Sequence, residues 1–132
     1  MPEMQVQVKQ VGATTSEGSI RHHAVLIDRP AAKGGEDKGP MGGELLLVAL
    51  GGCFMSNLLE VIRTREAPIN NVNIDIAGTL EGTPPHYTHI SMKVRAEHDD
   101  ADLLEKLVLM SERACIVANT LKPALMLAVS VA

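Results

Sequence analysis

The two cysteines, Cys53 and Cys115, are the residues of this sequence with the most distinctive chemistry. The N-terminus carries neither the basic segment nor the apolar segment of a secretory signal, so we expect a cytoplasmic protein. Thiols are kept reduced in that compartment, which makes a permanent structural disulfide a poor explanation for the pair. Two interpretations remain: the cysteines form a transient redox pair, or both are small buried hydrophobic side chains.

Cys53 follows two glycines, Gly51 and Gly52, inside a segment that predicts a helix. Each glycine in a helix interior costs about 1 kcal/mol relative to alanine, so the pair needs a reason. One reason is close packing of a neighbouring element against the backbone. The other is space for a small substrate to reach the thiol, and the two are compatible.

Charge and composition exclude several classes of binding partner. The net charge of −4, with scattered lysines and arginines, argues against nucleic acid. The apolar run over residues 45–55 is far shorter than the roughly 20 residues that cross a bilayer, so no membrane is expected. The histidines show no metal-ligand spacing with the cysteines, so neither a metal nor another cofactor is expected. These histidines are His22, His23, His86, His89 and His98.

Periodicity predicts the elements that position the thiols. Residues 4–11 and 19–28 predict a β-hairpin or meander with a turn at 12–18, and the glycine-rich stretch 29–43 predicts a surface loop. Residues 44–65 predict a helix that carries Cys53 and is apolar nearly all round in its first half. Residues 72–80 and 88–97 alternate as an antiparallel pair of strands. Residues 100–118 predict a second helix, with Asp99 or Asp100 as N-cap and Cys115 facing the core, before a final strand at 125–131.

This order of elements predicts an α+β fold, with an antiparallel sheet covering helices in a single domain over residues 1–132. The first helix is apolar on more faces than so small a chain can cover. Dimerisation would supply the missing cover.

Two stretches resemble a known family. Residues 39–53 read GPMGGELLLVALGGC, and residues 114–121 read ACIVANTL. They are similar to the first-cysteine and second-cysteine segments of the OsmC/Ohr family, particularly its YhfA-like branch. The resemblance implies an OsmC-like fold, with antiparallel sheets around two long central helices in an intertwined homodimer. It also implies a peroxidase of organic hydroperoxides, or of hydrogen peroxide, that a cellular dithiol reduces afterwards.

In the chemistry that the resemblance implies, Cys53 attacks the peroxide, becomes a sulfenic acid and condenses with Cys115. An arginine and a glutamate of the family favour the thiolate. The candidate glutamate here is Glu44, nine residues before Cys53, whereas the family's characterised peroxidases place theirs one residue further away. On an ideal helix this spacing puts Glu44 opposite Cys53, so an acid that answers the helix dipole is an equal interpretation. Arg21 and Arg29 are the candidate arginines, with a solvated surface charge as the alternative for each.

Two functions therefore stand as hypotheses. The first is a dithiol hydroperoxide reductase that uses Cys53 and Cys115. The second is a dimeric binding or stress-associated protein that keeps the fold and the cysteines without efficient peroxidase chemistry.

Overall fold

The structure is a computed structural model that describes all 132 residues. Packing divides the chain into two compact units, Met1–Leu46 and Leu47–Ala132, which are described separately. The expectation of a single domain over residues 1–132 remains a prediction.

The first unit contains a three-stranded antiparallel sheet in the order β1-β2-β3. Its strands are β1 (Gln7–Gln10), β2 (Ser16–Ile20) and β3 (His23–Ile27). The sequence predicted a hairpin or a meander here, and the structure is a three-stranded meander. The placement of residues 16–18 in the turn was wrong, because they begin β2. Ser16 to Gly18 lack the β-branched side chains of a typical strand, but β2 is the central strand and pairs on both sides. The chain reverses at Arg21, whose φ of 54° is left-handed, so Arg21 lies in a turn rather than in a strand.

The loop after β3 is built around a buried carboxylate. Asp28 is 3% exposed, and its oxygens accept hydrogen bonds from Thr15 Oγ1 at 2.9 Å, Arg29 N at 2.7 Å and Lys38 N at 3.3 Å. Its own N–H donates to Pro40 O at 3.0 Å. Residues 29–43 also include a short 3-10 helix, Ala31–Lys33. This long loop therefore has internal structure of its own.

Helix α1 (Gly42–Thr64) begins within two residues of its predicted start and ends one residue before its predicted end. Glu44 is the third residue of the helix, and its Oε1 accepts a hydrogen bond from Met41 N at 2.8 Å. This is half of a capping box, in which an acid in the first turn satisfies a free N–H at the helix start. By length and composition alone, the 23 residues of α1 could cross a bilayer, a property that core helices of soluble proteins share. The helix is thus longer than the apolar run that the sequence analysis considered.

The second unit contains a sheet in the order β4-β5-β6. Its strands are β4 (Asn70–Glu81), β5 (His86–Glu97) and β6 (Met126–Val131). The antiparallel pairing of β4 with β5 is confirmed, and the alternation places Ile90, Met92 and Val94 in the core. The pairing of β5 with β6 is parallel, so this sheet is mixed rather than antiparallel throughout. Parallel neighbours need a helical crossover, and the segment between β5 and β6 provides one.

That crossover is two helices rather than the predicted one. Helix α2 covers Ala101–Ala114, and Asp100 is its N-cap. The Asp100 side chain accepts a hydrogen bond from Leu103 N at 3.1 Å, which confirms the predicted cap. Helix α3 (Ile116–Leu121) follows after a break at Cys115. The core of the unit is aliphatic apart from Phe54, as expected from a chain with 2% aromatic residues.

Candidate active site at the α1 and α2–α3 cysteines

Cys53 lies in the middle of α1 and is half-buried against the core of the second unit. Its two preceding glycines have different surroundings. A Cβ on Gly51 would lie 2.3 Å from Ile76 Cδ1 on β4, so Gly51 allows the sheet to approach the helix closely. A Cβ on Gly52 would meet nothing within 4 Å, and Gly52 is exposed. The contact with Ile76 explains Gly51. No atom of this chain packs against the position of a Gly52 side chain.

Cys115 lies at the junction between α2 and α3 and is completely buried. Its backbone is extended, with φ −75° and ψ 112°, which ends one helix and starts the next. The Cys115 N–H donates to Glu112 O at 3.2 Å, and its carbonyl accepts from Asn119 N at 2.9 Å. The Cys115 Sγ accepts a hydrogen bond from Ala118 N at 3.4 Å. The sequence placed Cys115 inside a helix, but the side chain faces the core as predicted.

The fold brings the two thiols together from opposite ends of the second unit. Both cysteines are free, and Cys53 packs against the core cluster to which Cys115 belongs. Burial raises the pKa of the Cys115 thiol, the Ala118 N–H opposes that rise, and a hydrogen bond and charge repulsion from Cys53 add to it. The two thiols are therefore neighbours in the same core. Cys115 is held as a neutral thiol at neutral pH.

Two further contacts stabilise the junction between α2 and α3, where Cys115 lies. Lys122 Nζ forms an ion pair with Glu112 Oε2 at 2.9 Å, and both side chains are partly shielded from solvent. Asn119 Nδ2 donates to Arg113 O at 3.1 Å. Together they tie α3 back onto the end of α2. Neither contact was predictable from the sequence, because Asn119 and Lys122 lie beyond the end of the predicted helix at residue 118.

The three remaining candidates, Glu44, Arg21 and Arg29, belong to the first unit. Glu44 is exposed and caps α1, which matches the alternative interpretation of this acid. Arg21 is exposed in the β2–β3 turn. Arg29 is exposed and lines a cavity of about 390 Å³ together with Asp28 and Lys33. The activating or substrate-binding roles of these three residues remain predictions.

Comparison with known proteins assigns the family. The family model described as OsmC-like protein matches residues 35–130, so the chain belongs to the OsmC-like family. Protein YhfA of Escherichia coli strain K12 is 27% identical over 126 residues, which span 92% of this chain and 91% of that protein.

Solved structures share the fold. A hypothetical protein from Aquifex aeolicus superposes with a TM-score of 0.85 and 22% identity, covering 100% of this chain and 96% of that one. The organic hydroperoxide resistance protein OhrB of Bacillus subtilis superposes with a TM-score of 0.70 and 15% identity, covering 98% of each chain. The predicted OsmC-like α+β fold is therefore confirmed.

Proposed function

We propose that this protein is a cysteine-based hydroperoxide reductase that reduces organic hydroperoxides, and hydrogen peroxide as well, through Cys53 and Cys115. The observation that carries the proposal is the meeting of two free thiols with unequal exposure, one half-buried and one completely buried. Membership of the OsmC-like family supports it, since relatives with this fold include proteins named for organic hydroperoxide resistance.

The unequal exposure of the two thiols supports the order of the reaction. The Cys53 thiolate attacks the terminal peroxide oxygen, the O–O bond breaks, and the alkoxide takes up a proton and leaves as the alcohol. The Cys115 sulfur then attacks the sulfur of the Cys53 sulfenic acid and displaces its hydroxyl group, which leaves as water with the Cys115 proton as the disulfide forms. A dithiol in a reducing, cytoplasmic compartment returns both cysteines to thiols.

The Cys53 thiol needs a positive charge to favour its thiolate, because it lies mid-helix and cannot use a helix N-terminus. In this proposal Arg21 or Arg29 supplies that charge, with Glu44 orienting it. We assign the site to a homodimer, in which two copies of the chain cover the apolar face of α1.

The test is peroxide consumption by the reduced protein without any added cofactor. Cumene hydroperoxide, tert-butyl hydroperoxide and hydrogen peroxide are each mixed with the protein, and peroxide and thiols are measured over time. We expect one peroxide consumed for two thiols lost, and continuous turnover when dithiothreitol is added. Unchanged peroxide, with both thiols still titratable after unfolding, would exclude a peroxidase.

A second candidate is a dimeric binding or stress-associated protein without efficient peroxidase activity. The observation in its favour is that the Glu44 carboxylate is engaged with Met41 N in capping α1. Slow reaction of Cys53 with peroxide, together with saturable binding of an apolar ligand, would favour this candidate. Rapid peroxide-dependent loss of thiols would exclude it.

A further inference from the structure

The sulfur of Cys115 lies against a backbone hydrogen-bond donor. The Ala118 N–H donates to Cys115 Sγ at 3.4 Å. Such a donor stabilises a negatively charged sulfur more than a neutral one, because hydrogen bonds to an ionised acceptor are the stronger ones. The surroundings of Cys115 are otherwise apolar and closed to water. In such surroundings a thiolate without this donor would be strongly disfavoured.

Access decides which sulfur of a disulfide an external thiol can attack. Cys53 is half-buried, whereas Cys115 is completely buried. Thiol–disulfide exchange requires the attacking thiolate to reach one of the two sulfurs. The attack therefore falls on Cys53, and Cys115 is the sulfur that must leave.

We propose that the backbone N–H group of Ala118 stabilises Cys115 as the leaving thiolate when the Cys53–Cys115 disulfide is reduced. This inference rests on the proposed function, since it concerns the step that regenerates the enzyme. It assigns a chemical purpose to the helix break at Cys115. In a continuous helix the N–H of residue 118 would donate to the carbonyl of residue 114 instead of to the sulfur.

The step is balanced as follows. One thiolate of a dithiol reductant attacks Cys53 Sγ and forms a mixed disulfide, while the bond between the two cysteines breaks. The electron pair goes to Cys115 Sγ, where the Ala118 N–H stabilises the thiolate until it takes a proton. The second thiol of the reductant then displaces Cys53. The dithiol is oxidised to its disulfide, and its two protons end on Cys53 and Cys115.

Two contacts at the junction between α2 and α3 keep the Ala118 N–H in place. The Lys122–Glu112 ion pair and the bond from Asn119 Nδ2 to Arg113 O fix α3 relative to the end of α2. These are positioning residues, because they touch neither sulfur. Their removal should affect the same step through the orientation of α3.

The experiment removes the Ala118 N–H donor and measures reduction of the disulfide. Wild type and an Ala118→Pro variant are oxidised with diamide, which needs no peroxide, and are then reduced with dithiothreitol. Proline lacks the backbone N–H. Ile116→Pro is the matched control, because residue 116 opens α3 and the extended Cys115 before it suits a following proline. Should the buried Ala118→Pro protein fail to fold, replacing Ala118 by lactic acid converts the amide to an ester and removes only the N–H.

We expect the disulfide of the Ala118 variant to be reduced about tenfold more slowly than that of wild type, with Ile116→Pro close to wild type. The reduction potential of the pair at pH 7 should stay close to that of wild type, because reduced Cys115 is a neutral thiol and the bond acts on the transient thiolate. A structural defect that destabilises one redox form more than the other would shift the potential instead. Reduction of the ester variant at the wild-type rate, or no Cys53–Cys115 disulfide after diamide, would overturn the inference. If the disulfide of the Ala118 variant is reduced as slowly as expected but the reduced wild-type protein consumes no peroxide, only the proposed function is refuted.

Discussion

Cys53 and Cys115 are the same side chain in different surroundings. Cys53 is half-buried, while Cys115 is enclosed by the core and its sulfur accepts a hydrogen bond from Ala118 N. Reactivity of a thiol depends on both its access and its thiolate fraction. At the residue scale, the structure therefore supports different roles for two residues that the sequence presents as equivalent.

Replacing each cysteine by serine should separate those roles. We expect Cys53→Ser to lose peroxide consumption completely, because the remaining thiol is buried and its pKa is raised by that burial. Cys115→Ser should instead accumulate a Cys53 sulfenic acid, which excess peroxide oxidises to the sulfinic and sulfonic states. Mass spectrometry after a peroxide pulse measures both. Oxygen added to Cys115 in the Cys53→Ser protein at the wild-type rate would reverse the assignment.

Asp28 gives a prediction of pH dependence at the same scale. Burial alone would raise its pKa, but hydrogen bonds from Thr15, Arg29 N, Thr14 and Lys38 N outweigh burial and lower the pKa to about 2. Its ordinary value is 3.8. A carboxyl group with a lowered folded-state pKa stabilises the fold above its unfolded pKa, and this stabilisation is lost as the pH falls toward the folded value.

We therefore expect Asp28→Asn to be less stable than wild type at pH 7, with the difference shrinking between pH 3.8 and about 2. Urea unfolding of both proteins at several pH values measures this. The exposed Asp37 in the same loop provides the control, as Asp37→Asn. A difference between wild type and Asp28→Asn that stays constant down to pH 2 would show that the charge of Asp28 does not stabilise the fold.

At the scale of the elements, α1 contacts β4 at Gly51, where the helix has no side chain. A methyl group at residue 51 would lie 2.3 Å from Ile76 Cδ1, so the end of the Ile76 side chain would have to move. Alanine is normally favoured over glycine in a helix by about 1 kcal/mol. Overpacking of a core typically costs about 1–3 kcal/mol. The packing cost should win, because the colliding Ile76 side chain packs against the core cluster.

We expect Gly51→Ala to lower the free energy of unfolding by about 1 kcal/mol. The double variant Gly51→Ala with Ile76→Val removes the colliding Cδ1 atom and should recover most of that loss relative to Ile76→Val alone. Thermal and urea unfolding of the four proteins in this cycle gives the coupling. Additive effects of the two substitutions would mean that Gly51 is needed for another reason.

At the scale of the whole molecule, α1 has an outer face that is apolar and exposed. Val48 is 63% exposed and Leu59 is 50% exposed, and they share a face with the exposed Gly52. An apolar helix face with a glycine at its centre suits close approach of another helix. The proposed homodimer would place a second copy of the chain there.

We expect the protein to have a dimeric mass by light scattering at micromolar concentration. Val48→Asp should shift the mass toward that of a monomer, because a buried charge without a partner strongly opposes association. Val48→Ile keeps the residue apolar and serves as the control. A monomeric wild-type protein with an intact fold, judged by circular dichroism, would contradict the dimer.

The sequence by itself determined the elements whose residues repeat with a clear period. Helix α1, strands β4 and β5 and the Asp100 cap were all predictable, since each depends on local spacing or a single capping side chain. The segments 39–53 and 114–121 were enough to indicate the family. Local patterns of this kind need no knowledge of what packs against them.

Only the tertiary structure decided the features that depend on distant partners. Strand β2 forms from unfavourable residues because strands on both sides complete its hydrogen bonds. The break at Cys115 keeps its sulfur bonded to Ala118 N and its side chain in the core, a choice that helical periodicity cannot show. The meeting of Cys53 with Cys115 and the loop around Asp28 likewise depend on contacts between residues far apart in the chain. Such contacts form only where several elements pack together, so no single stretch of sequence encodes them.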